Sequence, residues 1–181
     1  RRIPVNKIPA SVCSIFSMIR ASFSLTGCFR CEYPKRVDEM TRWFQESLKV
    51  RTEGRGTLDI TPLVAELVAR SDVALGLCHI FITHTSASLA ITENADPRVH
   101  ADLEHFFARL VPDGDPLYTH TSEGDDDMSA HIRTSLTHSE LTAPISNARL
   151  VLGTWQGIYV WEHRWRPHER RLVLTIYGEN R

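Results

Sequence analysis

Apolar and polar residues alternate along Leu77 to Thr83, with Ile80 and Ile82 on one side and His79 and Phe81 on the other, which predicts a half-buried strand. If the strand stays regular to its end, His84 falls on the isoleucine side. Upstream, residues 43–53 read as a strand closed by the turn Gly54-Arg-Gly56. Thr61 then caps a helix with Pro62 at its first position and an apolar face of Leu63, Val64, Leu67 and Val68, and Gly76 ends that segment. A strand near residues 88–92 leads into Glu93-Asn-Ala-Asp96. Asp96 caps a second helix with Pro97 at its first position, and Val99, Leu103, Phe106, Phe107 and Leu110 keep helical spacing until Pro112. A third helix follows the turn at 111–116; Asp126 or Asp127 is placed to cap it, Ile132 and Leu136 form an apolar i, i+4 pair, and His131 lies about one turn in. Strands at 141–145, at 149–152 continuing through a turn to 157–163, and at 170–177 complete an α+β domain on antiparallel sheet with three helices.

The first 39 residues depart from this pattern. Up to Cys31 they carry five basic residues and no acidic one, with a short apolar patch interrupted by Ser14 and Ser17. That composition suits a transit peptide, and the patch is too short to span a bilayer. Residues 1–39 are therefore expected to form an extension outside the fold, and residues 40–181 a single domain. Three of the four cysteines lie in the extension, where Cys28 and Cys31 form a lone C-x-x-C pair. Only Cys78 is left for the domain, so no disulfide framework is available and a reducing, cytoplasmic setting is expected, or an organelle if the extension is a transit peptide.

A chain of 181 residues, 42% hydrophobic, can bury one substantial core. The net charge of −1 argues against a nucleic-acid grip, and no membrane-spanning stretch is expected. The charge is unevenly distributed: residues 1–39 hold seven of the 21 basic and three of the 22 acidic residues, so the rest is acidic by five and contains all nine histidines. That combination suits a cation or a cationic ligand better than a polyanion.

The densest chemistry is Thr119 to His131, where two histidines, Glu123 and three consecutive aspartates fall within thirteen residues. Adjacent ionised carboxylates repel unless they are solvated, used as caps or neutralised by a cation. Neutral imidazoles beside them are the usual companions of a divalent metal. A plain capping loop is the alternative. Elsewhere, Thr85, Ser86, Ser88 and Thr154 offer hydroxyls, Gly153 and Gly157 allow close backbone approach, Gln156 lies between them, and Arg164 can pair with a phosphate, although Gly153-Thr-Trp-Gln-Gly157 is also good turn chemistry.

Five ordered patterns, His84-Thr-Ser-Ala-Ser88, Glu93-Asn-Ala-Asp-Pro97, Glu123-Gly-Asp-Asp-Asp-Met-Ser-Ala-His131, Gly153-Thr-Trp-Gln-Gly157 and Glu162-His-Arg164, resemble the YjbQ family, also called secondary thiamine-phosphate synthase enzymes. The resemblance covers roughly residues 40–180, with Ser129 where the family usually has proline. It implies a jelly-roll-like β-sandwich, a homotrimer, and a site built from His84, His120 and His131. Three imidazoles and a water would make an open metal site, with Glu123 or Asp127 as base. The named activity joins a pyrimidine pyrophosphate to a thiazole phosphate, which calls for Mg2+, whereas a three-histidine site suits Zn2+. Two classes therefore stay open: a metal-dependent enzyme acting on a small phosphorylated molecule, as synthase or hydrolase, and a non-catalytic metal- or ligand-binding module.

Overall fold

The computed structural model of the chain describes residues 41–180; the expected extension over 1–39, with its three cysteines, lies outside the described residues. Two antiparallel sheets build the domain. The first has the order β1-β8-β3-β5-β6, from Thr41–Arg51, Glu169–Asn180, Val73–Ile82, Glu140–Ser146 and Arg149–Leu150. The second is β2-β7-β4, from Gly56–Asp59, Gln156–Glu162 and Ala87–Glu93. Three helices complete an α+β fold: α1 at Thr61–Arg70, α2 at Pro97–Leu110 and α3 at Asp125–Leu136.

The core lies between the sheets, because strand alternation turns one face of each inward. Cys78, Ile80, Ile82, Leu172, Leu174 and Ile176 from the first sheet meet Leu89, Ile158 and Val160 from the second, and α1 adds Val64, Leu67 and Val68. Strand β7 is buried on both faces, since its outward Tyr159 and Trp161 are covered by His100 and Phe107 of α2 at ring separations of 4.7 and 5.0 Å.

Local chemistry explains most element ends. Asp96 caps α2 by accepting the Arg98 backbone N–H at 2.9 Å, with Pro97 first in the helix, as its sequence predicts. Two expectations need correction. Neither Asp126 nor Asp127 caps α3, because both carboxylates turn to partners elsewhere; Gly124 occupies the cap position at φ 110°, a conformation that favours glycine. The helix at 61 begins at Thr61 itself, and the Asp59 carboxylate accepts the Thr61 backbone N–H at 2.8 Å.

Gly76 does not end a segment, and Gly56 opens the short strand β2 that residue patterning alone did not reveal. Gly76 lies inside β3 opposite Gly178 of β8, just past a register shift between Val73 and Leu75. A Cβ at Gly76 would come within 2.1 Å of the Tyr177 carbonyl oxygen, so the two backbones approach too closely for any side chain there. The Gly76→Ala substitution should therefore lower unfolding free energy by about 3 kcal/mol in denaturant titration, because backbone rather than a flexible side chain must move.

Candidate functional site

The thirteen-residue acidic segment folds into a loop and the first turns of α3. Helical spacing places Asp127 and His131 on one face at i and i+4, and the preceding loop brings His120 over them. One ligand atom from each of His120, Asp127 and His131 lies within 4.8 Å of the others, the group of this kind found among the described residues. His120 Nε2 is 2.8 Å from Asp127 Oδ2, and His131 Nε2 is 3.6 Å from Asp127 Oδ1.

Hydrogen-bond geometry sharpens the meaning of these distances. The His131 ring lies with Nδ1 2.9 Å from the Thr85 carbonyl oxygen, an acceptor, so Nδ1 carries a proton and Nε2 is the nitrogen turned to Asp127. A bare nitrogen facing a carboxylate is unfavourable without a proton or cation between them. Asp127 Oδ2 is buried and makes no aligned hydrogen bond despite its approach to His120. A buried carboxylate oxygen left in that state is costly unless something positive completes it.

Part of the aspartate charge is met by protein. Arg164 donates from Nε to Asp126 at 3.1 Å, from Nη1 to Asp127, and from Nη2 to the Glu123 carbonyl at 2.8 Å. Burial works against an ionised Asp126, but the Trp165 backbone N–H and Arg164 outweigh it and hold that carboxyl below the usual range. Two carboxylates thus share one guanidinium, which leaves one negative charge at the imidazole end. Asp125 is exposed to solvent.

The other expected site residues distribute as follows. His84 is outside the cluster: its Nε2 accepts the Arg171 backbone N–H at 2.8 Å, which occupies the lone pair a metal would need. Thr85 reaches the site through its carbonyl, and the Ser86 carbonyl faces Arg170 at 3.4 Å. Glu123 is exposed at the rim, 3.7 Å from Arg164. Arg164 positions the aspartates, so its guanidinium is not free for phosphate.

Ser88, Thr154 and Gln156 do not join the site. Ser88 is fully buried and contacts His163 Nε2 at 2.9 Å, so no ligand reaches its hydroxyl. Register pairs Ala87 with Glu162 at one end of the second sheet and Glu93 with Gln156 at the other, which separates Thr154 and Gln156 from Thr85 by roughly 20 Å of strand. At that far end the Gln156 side chain accepts the Gly153 N–H at 2.8 Å, and Asn94 donates to the Thr154 carbonyl at 3.3 Å. Those residues close a turn against the Asn94 loop.

Residue patterning missed a cavity of about 410 Å3 beside Arg164, lined also by Glu123, Gly124, Asp126, Trp165, Arg166 and His168. Its signal was the Arg-Trp-Arg-Pro-His run at 164–168. The Arg166 side chain has no hydrogen bond or ion pair among the described residues.

Comparison with known proteins identifies the relatives. The family profile described as UPF0047 protein YjbQ-like matches residues 46–179. The chain belongs to the YjbQ (UPF0047) family. It is 49% identical to the UPF0047 protein of Synechocystis over 76% of this chain and 94% of that protein, and 41% identical to YjbQ of Escherichia coli O157:H7 over 76% and 99%. A YbjQ-like protein of unknown function from Sulfolobus solfataricus superposes with a TM-score of 0.70 at 25% identity, covering 77% of this chain and 99% of that one. Among the described residues no helix is long and apolar enough to cross a membrane.

Beneath the site, burial and the neighbouring Arg133, Arg55 and Arg170 push the His163 pKa down to about 3, and its Nδ1 is buried without a partner. The unfolded chain binds a proton there near the ordinary histidine value while the folded one does not, so stability is lost as pH falls from about 6.5 toward 3. Going from pH 7 to pH 5 should cost about 2 kcal/mol through this group alone. His163→Gln should flatten that dependence in urea unfolding series at the two pH values.

Proposed function

We propose that this protein binds one divalent cation of the zinc type through His120, Asp127 and His131 and uses it on a small phosphorylated substrate. The observation that supports this most is the buried Asp127 Oδ2, lacking a hydrogen bond yet 2.8 Å from His120 Nε2. Two imidazoles and one carboxylate suit Zn2+ or a similar borderline metal, and three protein donors with half-exposed His120 leave a position for substrate or water. Such a cation, when bound, polarises a substrate oxygen and acidifies water.

The chain's own residues supply the remaining roles. Thr85 orients His131 through its carbonyl, and Arg164 fixes Asp127 so that Oδ2 faces His120. Glu123, exposed beside Arg164, would take a proton from the attacking water. Arg166, with His168 beside it, offers positive charge to a phosphate in the cavity beside Arg164. This set favours phosphoester hydrolysis; formation of thiamine phosphate, which releases pyrophosphate and calls for Mg2+, is carried by the resemblance and stands second.

A homotrimer is also proposed. Its support is the outer face of the first sheet, where exposed Trp43 stacks on Tyr177 at 4.7 Å beside exposed Leu75. Light scattering at micromolar concentration should give three subunits, and Trp43→Glu should shift the mass toward the monomer; a wild-type monomer would sink this part.

Elemental analysis of protein purified without a histidine tag should find about one zinc-type metal per chain. His120→Ala and Asp127→Asn should each reduce metal at least tenfold in affinity while leaving the circular dichroism spectrum intact. Glu123→Gln should keep the metal and lower turnover of a simple phosphoester about a hundredfold. Wild-type protein that retains no zinc, nickel or magnesium after dialysis would end the metal reading, and one equivalent of metal with no turnover would leave a binding module.

A further inference from the structure

Against His131 lies a second cleft, of about 660 Å3, formed by the end of β3, the His84 loop, α3 and the approach to β5. Its size suits a small organic molecule. Its walls differ from those of the cavity beside Arg164: they include Thr83, Thr85, Thr134, Ser135, Ser139 and Phe81, and contain no Lys, Arg, Asp or Glu.

The two histidines that touch the cleft turn their ring nitrogens to protein partners. His131 turns its Nδ1 to the Thr85 carbonyl. His84 presents Nε2 to the Arg171 N–H and Nδ1 toward Arg170 at 3.4 Å, so added positive charge there meets two donors. Burial and Arg170 accordingly hold its pKa below the ordinary value. The Arg170 guanidinium is itself neutralised by fully buried Glu162.

Hydrogen-bonding capacity is nevertheless plentiful. Thr85 and Ser139 are exposed, and their hydroxyls carry no hydrogen bond among the described residues. Thr83 and Ser135 use their protons on the Arg171 and His131 carbonyls and keep their lone pairs. Half-exposed Phe81 adds an apolar wall. A charged group entering this cleft would lose water and meet no counter-charge, whereas an uncharged group with donors and acceptors is matched.

We infer that this cleft is a specificity subsite that takes an uncharged, hydrogen-bonding ring of the substrate, with His131 as the wall it shares with the proposed cation site. In naming the uncharged part of the substrate the inference rests on the cation reading, but the cleft can be probed without metal.

Benzamide, benzoate and benzamidine form a neutral, anionic and cationic series of one size. Titrated into the isotope-labelled full chain, benzamide should shift the amide resonances of residues 83–85 and 134–139 and bind there about tenfold more tightly than either charged probe. Ser139→Phe, which fills the cleft from an exposed position, should abolish those shifts at an unchanged melting temperature. Ser135→Lys should instead reverse the order in favour of benzoate. Benzoate binding as well as benzamide in the wild-type cleft, or no benzamide shifts in these residues, overturns the inference. Metal content measured on the same sample separates the two readings: benzamide binding without metal sinks only the cation site, and metal without benzamide binding sinks only the subsite.

Discussion

The Arg164 guanidinium joins the β7–β8 loop to the start of α3, and the geometry of the acidic cluster depends on it. It reaches Asp126, Asp127 and the Glu123 carbonyl together, so three points on the loop and first turn of α3 are fixed by one planar group. Without that clamp, adjacent ionised aspartates at a helix start would spread into solvent. With it, Asp127 is held almost fully buried with one oxygen on the guanidinium and the other facing His120. The i, i+4 relation then brings His131 to the same carboxylate, and the Thr85 carbonyl sets the ring's tautomer.

A second polar network lies in the interior beside this clamp. Glu162 and Arg170 are buried as a pair, with Thr52 donating to Glu162 at 2.9 Å. Burying such a pair gains little net stability, but removing one partner leaves an uncompensated charge, so both positions are strongly constrained. Arg170 also adds to burial in holding the pKa values of both His84 and His163 below the ordinary histidine value. The acidic cluster is thereby set against a buried, hydrogen-bonded end of the sandwich.

Sheet geometry divides the recognisable patterns between two ends of the domain. The patterns at His84, at Glu123 to His131 and at Glu162 to Arg164 gather at one end, while the Glu93 and Gly153 patterns lock together at the other. Asn94 donates to the carbonyls of Thr154 and Gln156, which gives the distant pair a turn-closing role within this chain. The two hollows near the acidic cluster differ as sharply, one lined by charged side chains around Arg164 and Arg166 and the other, against His131, by hydroxyls.

What the sequence by itself determined follows from local rules. Alternation at Ile80 and Ile82, the Asp96-Pro97 cap and the helical spacing of His131 after Asp127 each act over a few residues, and the antiparallel α+β class with three helices follows from them. Gly76 and the short strand at Gly56 escaped such reading, because a glycine forced by a neighbouring backbone looks like a glycine in a turn. The site divided along the same line: the density of histidine and carboxylate marked the segment, but not which atoms converge. His84 turned to the Arg171 backbone, Ser88 entered the interior, Arg164 took up two aspartates, and Thr154 and Gln156 went to the far end of the sheet. Those outcomes were decided by tertiary structure, because each depends on a partner dozens of residues away whose position is set by strand register and sheet packing rather than by local spacing.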